Sequence, residues 1–362
     1  MGLRINVDFM SLDGGAQGEI AQHIQKAGAL NANALKPFID PSDGRSYINV
    51  FKGGDYNDES NWTVAPITGN ATLRRDEWKT LDLAVIGIAE QRLTGFNYLV
   101  GKGLVWALGN AMGTTVLEWH QTGDAMEAVM TMDAVTRGPN DRPVFSTHYL
   151  PIPIIHVDYE INLRELENSR KLGNSIDTMD AERATRKIEE YKETMLFTNT
   201  SYAFGGGTIY SLVNHPDRNP YTLGTSWASD TAANIIADVI AMKQASIDDY
   251  HYGPWTLFIP TNYETVLDKD FDTTTATGRT IRERILQIAN IQDIVVVDKL
   301  TASNVLLVQT TTDVVRIVRG LPIQNVEWSE EGGFVKKFKV LTIDVPQVRS
   351  DDNNRSGIVH GA

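Results

Sequence analysis

Cysteine is absent from the 362 residues. That excludes a disulfide framework and any thiolate metal site, and it suits assembly in a reducing cytoplasm. No apolar run is long enough to span a bilayer. The opening MGLRINVDFM is not a secretory signal. Met1-Gly2 invites the myristoylation pattern, but Asn6 stands where that pattern needs Ser or Thr. Asn61-Trp62-Thr63 and Asn70-Ala71-Thr72 match the glycosylation pattern, which means nothing in a chain without an export signal. Basic residues are outnumbered, 33 Lys and Arg against 46 Asp and Glu, for a net charge of −13. A protein whose main surface grips DNA phosphates is usually basic. This chain is built to repel nucleic acid, with only a locally basic face left open.

Signs of catalysis are equally thin. None of the seven histidines falls in a metal pattern such as H-E-x-x-H. His148 and His156 are too far apart in sequence to argue a site. Ser211-Leu212-Val213-Asn214-His215-Pro216 sets a histidine near a serine, but no G-x-S-x-G elbow surrounds it, so it reads as a structural turn. Phe204-Gly205-Gly206-Gly207 lacks the Lys-Ser/Thr pair of a phosphate loop and reads as a hinge-like junction between modules. Met126, Met130 and Met132 read as packing rather than ligands. Glu189, Glu190 and Glu193 read as a solvated helix face, not a carboxylate pair. No catalytic, cofactor-binding or metal-binding residue is nominated, and no cofactor is expected.

What the chain does contain is organised around Ile176 to Phe197. Ala181, Ala184, Ile188, Tyr191 and Met195 recur at steps of three and four, one face of an α-helix. Glu182, Arg183, Arg186, Lys187, Glu189, Glu190, Lys192 and Glu193 take the other face. Glu182 and Arg186 have the favourable four-residue spacing. Asp177 or Thr178 is the expected N-cap. At 1.5 Å per residue the helix is a strut about 30 Å long with one buried face.

The rest falls into modules. Residues 1–72 read as an extended arm, with one possible helix at Ala16 to Leu30 and Phe51, Tyr56 and Trp62 as anchors. Leu73 to Met112 reads as helical, including a second piece at Leu104 to Ala111. Met126 to Ala134 alternates with period two, a strand. Val144 to Leu150 is its return across the turn Arg137 to Pro143. Such a two-stranded ribbon is marginal alone and is expected to lie on something else. Ile154 to Ile161 is a strand and Leu163 to Leu172 a short helix. Beyond the strut, Ser229 or Asp230 opens a buried helix to Ile247. Trp255 to Pro260 is a buried strand. Thr261-x-x-Glu264 and Thr280-x-x-Glu283 are capping boxes, and Phe271 to Arg279 is a polar loop. Strands follow at Asp293 to Val297, Val305 to Gln309 and Val314 to Val318. Phe334 to Val345 is the final strand, and Ser350 to Ala362 a polar tail. The class is α+β.

That order of parts resembles the Hong Kong 97-type capsid fold of tailed phages, shared by encapsulin shells. The resemblance rests on Pro151-Ile152-Pro153-Ile154 and His156-Val157-Asp158-Tyr159-Glu160-Ile161. Arg164-Glu165-Leu166 follows, then Ile176-Asp177, Ala181, Arg183-Ala184 and Glu189 on the strut. Ser211 to Pro216 and Trp255 to Pro260 complete it. It covers roughly residues 73 to 348. It implies an N-terminal arm at 1–72, and a peripheral domain in three parts at 73–113, 160–201 and 326–362, the last with the C-terminal tail. It also implies an extended β-hairpin loop at 114–159 and an axial domain at 202–325. The strut becomes the spine helix, and the loop 271–279 a candidate lining of five-fold and six-fold axes.

The implied function is a major capsid protein that self-assembles into hexamers and pentamers of an icosahedral phage head around double-stranded DNA. It is assembled in the bacterial host cytoplasm, is not an enzyme, and touches DNA only non-specifically and no membrane. An encapsulin-type nanocompartment shell is the alternative, and an enzyme of unknown type a further one. Some relatives cross-link subunits through a lysine on the extended loop. Here no lysine lies between Lys102 and Lys171, which implies a noncovalent shell with a possible cement or decoration protein. A separate scaffolding protein, or none, and a portal complete the implied partners.

Overall fold

The strut is where the apolar periodicity puts it, though it starts three residues later. The computed structural model describes residues 36–51, 59–67, 73–74, 77–81, 94–109, 111–122, 130, 132, 145–171, 178–271, 278–329 and 335–362. The strut is helix α3, Met179–Phe197; it follows α1 (Thr94–Gly101) and α2 (Leu163–Lys171). Asp180 and Glu182 complement the dipole in its first turn. Thr178 precedes it without capping a backbone N–H; its hydroxyl instead donates to Glu182 Oε1 at 2.9 Å. Arg186 pairs with Glu190 rather than Glu182.

Four strands form one sheet in the order β4-β14-β15-β7: Val105–Ala107, Val315–Ser329, Val335–Val348 and Ile155–Asn162. β14 and β15 make a long antiparallel hairpin, Val315 opposite Val348 and Ser329 opposite Lys336. β7 joins β15 antiparallel and β4 joins β14 parallel. β4 corrects the reading of Leu104 to Ala111 as helix: its short apolar run has no period that separates helix from strand, and the free edge of β14 decides. Ala181, Ala184 and Ile188 of α3 pack with Phe338, Val340 and Val345 of this sheet in one core. Fully burying an aliphatic side chain such as Ile188, 0% exposed, contributes about 1.5–3 kcal/mol.

A second sheet has the order β10-β16-β13-β11-β12: Asn219–Tyr221, Ile358–Gly361, Val305–Gln309, Trp255–Pro260 and Ile291–Val297. Helix α4 (Ala232–Asp248) and the short α5 (Glu264–Leu267) and α6 (Ile281–Leu286) share its core of Trp227, Ile235, Val239, Trp255, Leu257 and Leu307. β16 overturns the reading of Ser350 to Ala362 as a polar tail. Ile358, Val359, His360 and Gly361 are buried and pair antiparallel with β13 and parallel with β10. Four residues with a histidine and a glycine carry too little pattern to announce a strand whose partners lie far back in the chain.

Smaller corrections have local causes. α4 starts at Ala232, capped by Thr231, whose hydroxyl accepts from the Asn234 N–H. It buries one side only, with Ile240 half-exposed. Thr261 opens a single 3-10 turn and makes no side-chain cap, whereas Thr280 does accept from the Glu283 N–H. Most of the loop 271–279 lies outside the described residues.

The two sheets are not joined by a hinge. Leu196 and Phe197 at the end of α3 pack with Phe96 and Leu99 of α1, Phe258 of β11, Val308 of β13, Ile317 of β14 and Ile358 of β16 in one continuous core. Gly205 and Gly206, both at positive φ, instead form the tight turn of a small hairpin, β8 (Ser201–Phe204) with β9 (Gly207–Tyr210). The described part of the arm is also more than an extended strap. β1 (Phe38–Ile39), β2 (Ser46–Phe51) and β3 (Trp62–Ile67) form an antiparallel sheet. Its anchors are Phe38, which enters the α3 core, and Ile48, 0% exposed. The Trp78 indole N–H donates to Pro37 O at 2.9 Å. Trp62 is half-buried; Tyr56 and the proposed helix at 16–30 lie outside the described residues.

Candidate assembly interface

Two strands stand apart from both sheets. Among the described residues β5 (Val116–Thr122) and β6 (Phe145–Pro151) pair only with each other, from Val116 opposite Pro151 to Thr122 opposite Phe145. The return strand is thus the expected one. Its partner is Val116–Thr122; the alternating stretch 126–134, expected in that place, lies almost wholly outside the described residues. Met130 and Met132 are fully exposed there rather than packed.

A ribbon of two strands is unstable unless its root is held. Leu150 and Ile152 are buried in the α3 core, and the Ile152 N–H donates to Thr115 O at 2.9 Å. The β8–β9 hairpin lies against β6 closely enough that a Cβ on Gly207 would sit 2.2 Å from Tyr149 O. One on Gly205 would sit 2.7 Å from Val116 Cγ2. Glycine is required at both for the ribbon to seat. Gln121 Nε2 donates to Ser350 O at 2.8 Å, tying the ribbon to the chain leaving β15. The root is rigid while the flank is not satisfied within one chain. Tyr149, Ile154, Tyr202 and Phe204 are each 44–52% exposed, an apolar flank of the kind that marks protein contact.

The strut that carries this root is locked by buried charge, which the amphipathic reading missed. Glu189, Lys192 and Glu193 are buried, not solvated, while Tyr191 is 53% exposed. Lys192 Nζ pairs with Asp344 Oδ2 at 2.7 Å, and Arg319 Nε with Asp344 Oδ1 at 3.1 Å. Burial pulls the Lys192 ammonium below its ordinary range, and Asp344 opposes that. Glu193 Oε1 accepts from the Gly95 N–H at 2.9 Å and so caps α1 from another helix. Burial pushes the Glu193 carboxyl up, and the Gly95 and Phe96 amides pull it back. Glu327 on β14 is pushed up to about 7 by burial, with Lys336 Nζ at 3.4 Å. A sequence signal existed only in hindsight, since Asp344 sits at an inward strand position 152 residues from Lys192.

His148 and His156 do not converge. His148 stacks on Trp119 at 4.7 Å, and His156 lies 3.2 Å from Asp158. The Ser211 hydroxyl donates to Asn214 Oδ1 at 3.0 Å, closing the turn that was expected there. His215 is lowered to about 4 by burial, stacks edge-on with Tyr210 and offers no base to Ser211. Among the described residues no group of His, Asp and Glu has the arrangement of a metal site, and no helix is long and apolar enough to cross a membrane.

Comparison places this architecture. The family described as a family of unknown function, DUF6260, matches residues 68–361. The structure is similar to a virus-like particle from Pyrococcus furiosus, with a TM-score of 0.58 at 16% identity, covering 79% of this chain and 99% of that one. It is similar to the capsid of Myoviridae phage XM1, with a TM-score of 0.55 at 12% identity, covering 75% and 92%. A third likeness is to the capsid of an empty GTA particle, at 0.51 and 11%, covering 72% and 88%. At these identities the likeness is one of fold: the mixed α+β architecture is of the Hong Kong 97 type.

Proposed function

The chain belongs to the DUF6260 family, and from its fold and its unsatisfied ribbon we propose that it is a major capsid protein, the repeating subunit of a closed phage shell. The observation that carries this is the ribbon. β5 and β6 form a rigidly rooted two-stranded projection, with an apolar flank that no other part of the described chain covers. Such a projection is stabilised by lying on another copy, and a head-to-tail contact of this kind gives a ring when its rotation closes. The α3 strut with the β14–β15 hairpin serves as the peripheral unit. The sheet around β11 serves as the unit nearer the symmetry axes, with residues 202–325 as its main segment. The role is structural rather than catalytic.

An acidic chain suits a wall that encloses DNA without gripping it, and assembly in the host cytoplasm suits a chain without cysteine. A cement or decoration protein, a scaffolding protein and a portal are the partners this role calls for. The test is electron microscopy of the full chain beside the variant Tyr149→Asp/Phe204→Asp, which puts charge on the exposed apolar flank. The full chain forms shells or capsomer rings, and the variant stays folded without assembling. Normal shells from the variant would remove the ribbon from the account.

A further inference from the structure

Two arginines at the root of the ribbon have no carboxylate partner among the described residues. Arg316 on β14 lies directly opposite Gln347 on β15, and Arg349 follows two residues on, on the same face as Gln347. The Arg349 N–H donates to Val314 O, which fixes that register. Each guanidinium is laid over an indole: Arg316 over Trp106 at 5.0 Å, and Arg349 over Trp119 at 5.0 Å. Trp119 is in turn stacked on His148 across the ribbon.

Stacking on a ring face leaves the in-plane N–H donors of each guanidinium at its rim, the geometry that grips a carboxylate or phosphate in a bidentate way. Arg316 Nε donates to Gln347 Oε1 at 2.6 Å. Arg349 Nε is buried and has no hydrogen-bond partner. Among the described residues no ion pair forms at either arginine, and the two repel each other. The neighbouring carboxylates are engaged or turned away. Asp217 accepts from the Ser350 hydroxyl at 2.6 Å, Asp344 is taken by Lys192 and Arg319, and Glu118 projects from the opposite side of the ribbon to Trp119. Two like charges that feel each other across one strand pair, with a buried donor unmet among the described residues, form a site suited to an anion.

We infer that this site takes an acidic side chain of a second copy of the chain, and that this ion pair between copies closes when the ribbon docks. The inference rests on the capsid reading. The net charge of −13 gives every neighbouring copy a surplus of carboxylates. The site sits where the ribbon leaves the body, so any copy that receives the ribbon comes within reach of it. A nucleic-acid phosphate has the same local chemistry, but the overall charge of the chain opposes its approach.

The test uses the full chain, Arg316→Gln/Arg349→Gln and Arg349→Lys, with assembly followed by mass photometry across a sodium chloride titration. At low salt the double variant associates about tenfold more weakly than the parent. The difference shrinks as salt rises, because screening already weakens the pair in the parent. Arg349→Lys falls between, keeping charge but losing the fork. Circular dichroism melts of the unassembled subunits coincide, which separates lost association from lost folding. Parallel salt curves for parent and double variant would overturn the site and leave the capsid reading standing. A parent that remains monomeric under every condition would sink both. Unchanged association, with loss of binding to a labelled DNA duplex, would reassign the site to phosphate and overturn the inference.

Discussion

Replacing Lys192 by Met tests the claim that buried charge, not an amphipathic stripe alone, locks helix α3 to its sheet. Lys192 and Asp344 have side chains only 3% and 1% exposed, and their atoms meet at 2.7 Å. Removing one partner of a buried pair costs about 3–5 kcal/mol, because the other is left charged out of water. Arg319 still reaches Asp344 Oδ1 at 3.1 Å, which places the expected loss near the lower end, about 3 kcal/mol. That is more than a hundredfold in the folding equilibrium. Asp344→Leu alone leaves Lys192 stranded and costs a similar amount. The double variant Lys192→Met/Asp344→Leu removes both charges and loses less than the sum of the singles, by about 2 kcal/mol. The assay is urea unfolding of the unassembled subunit by tryptophan fluorescence at one protein concentration, compared at constant m-value. A loss below about 1 kcal/mol for Lys192→Met, or additive single variants, would refute the lock.

Three further outcomes follow from the same geometry. Glu327, with a carboxyl raised from 4.5 to about 7, binds its proton more tightly folded than unfolded, so the stability it supports is present at low pH. That stability is lost as pH rises from about 4.5 through about 7, a total of about 3 kcal/mol. Glu327→Gln is therefore more stable than the parent at alkaline pH and equal to it in acid; equal melting curves at both ends would contradict this. Gly207→Ala forces a Cβ against Tyr149 O and costs about 1–3 kcal/mol. It should raise amide exchange across 116–122 and 145–151 while sparing β11 and β13; uniform protection would show that the small hairpin does not seat the ribbon. Ile188→Asp places an unpaired charge at a 0% exposed site and abolishes soluble folded subunit, a result read directly from expression and circular dichroism.

The parts of the fold that announce themselves in sequence are those whose evidence is local. Ala181, Ala184 and Ile188 mark the strut because helical spacing is a property of neighbours. Trp255 to Pro260 reads as a buried strand because five apolar residues in six suffice. The same logic fails for Lys192 and Glu193, which look like solvent residues until Asp344 and the open amides of α1 arrive from elsewhere in the chain. It fails for Ile358–Gly361, whose strand character is conferred by β13 and β10 on either side. The glycine run was visible but its purpose was not. A tight turn and a hinge share composition, and only the approach of Tyr149 O to Gly207 distinguishes them. Of the interface, the return strand of the ribbon could be read in the sequence. The paired arginines could not, since Arg316 and Arg349 meet only through the β14–β15 register.

The central claim is that the ribbon of one copy is completed by another. Electron microscopy of the purified full-length chain, carried to a resolution that traces β5 and β6, tests it most directly. The account predicts closed shells or rings in which Tyr149, Tyr202 and Phe204 of each copy are covered by a neighbour. Shells in which that flank remains bare to solvent, or a chain that stays monomeric with and without candidate scaffolding partners, would contradict it.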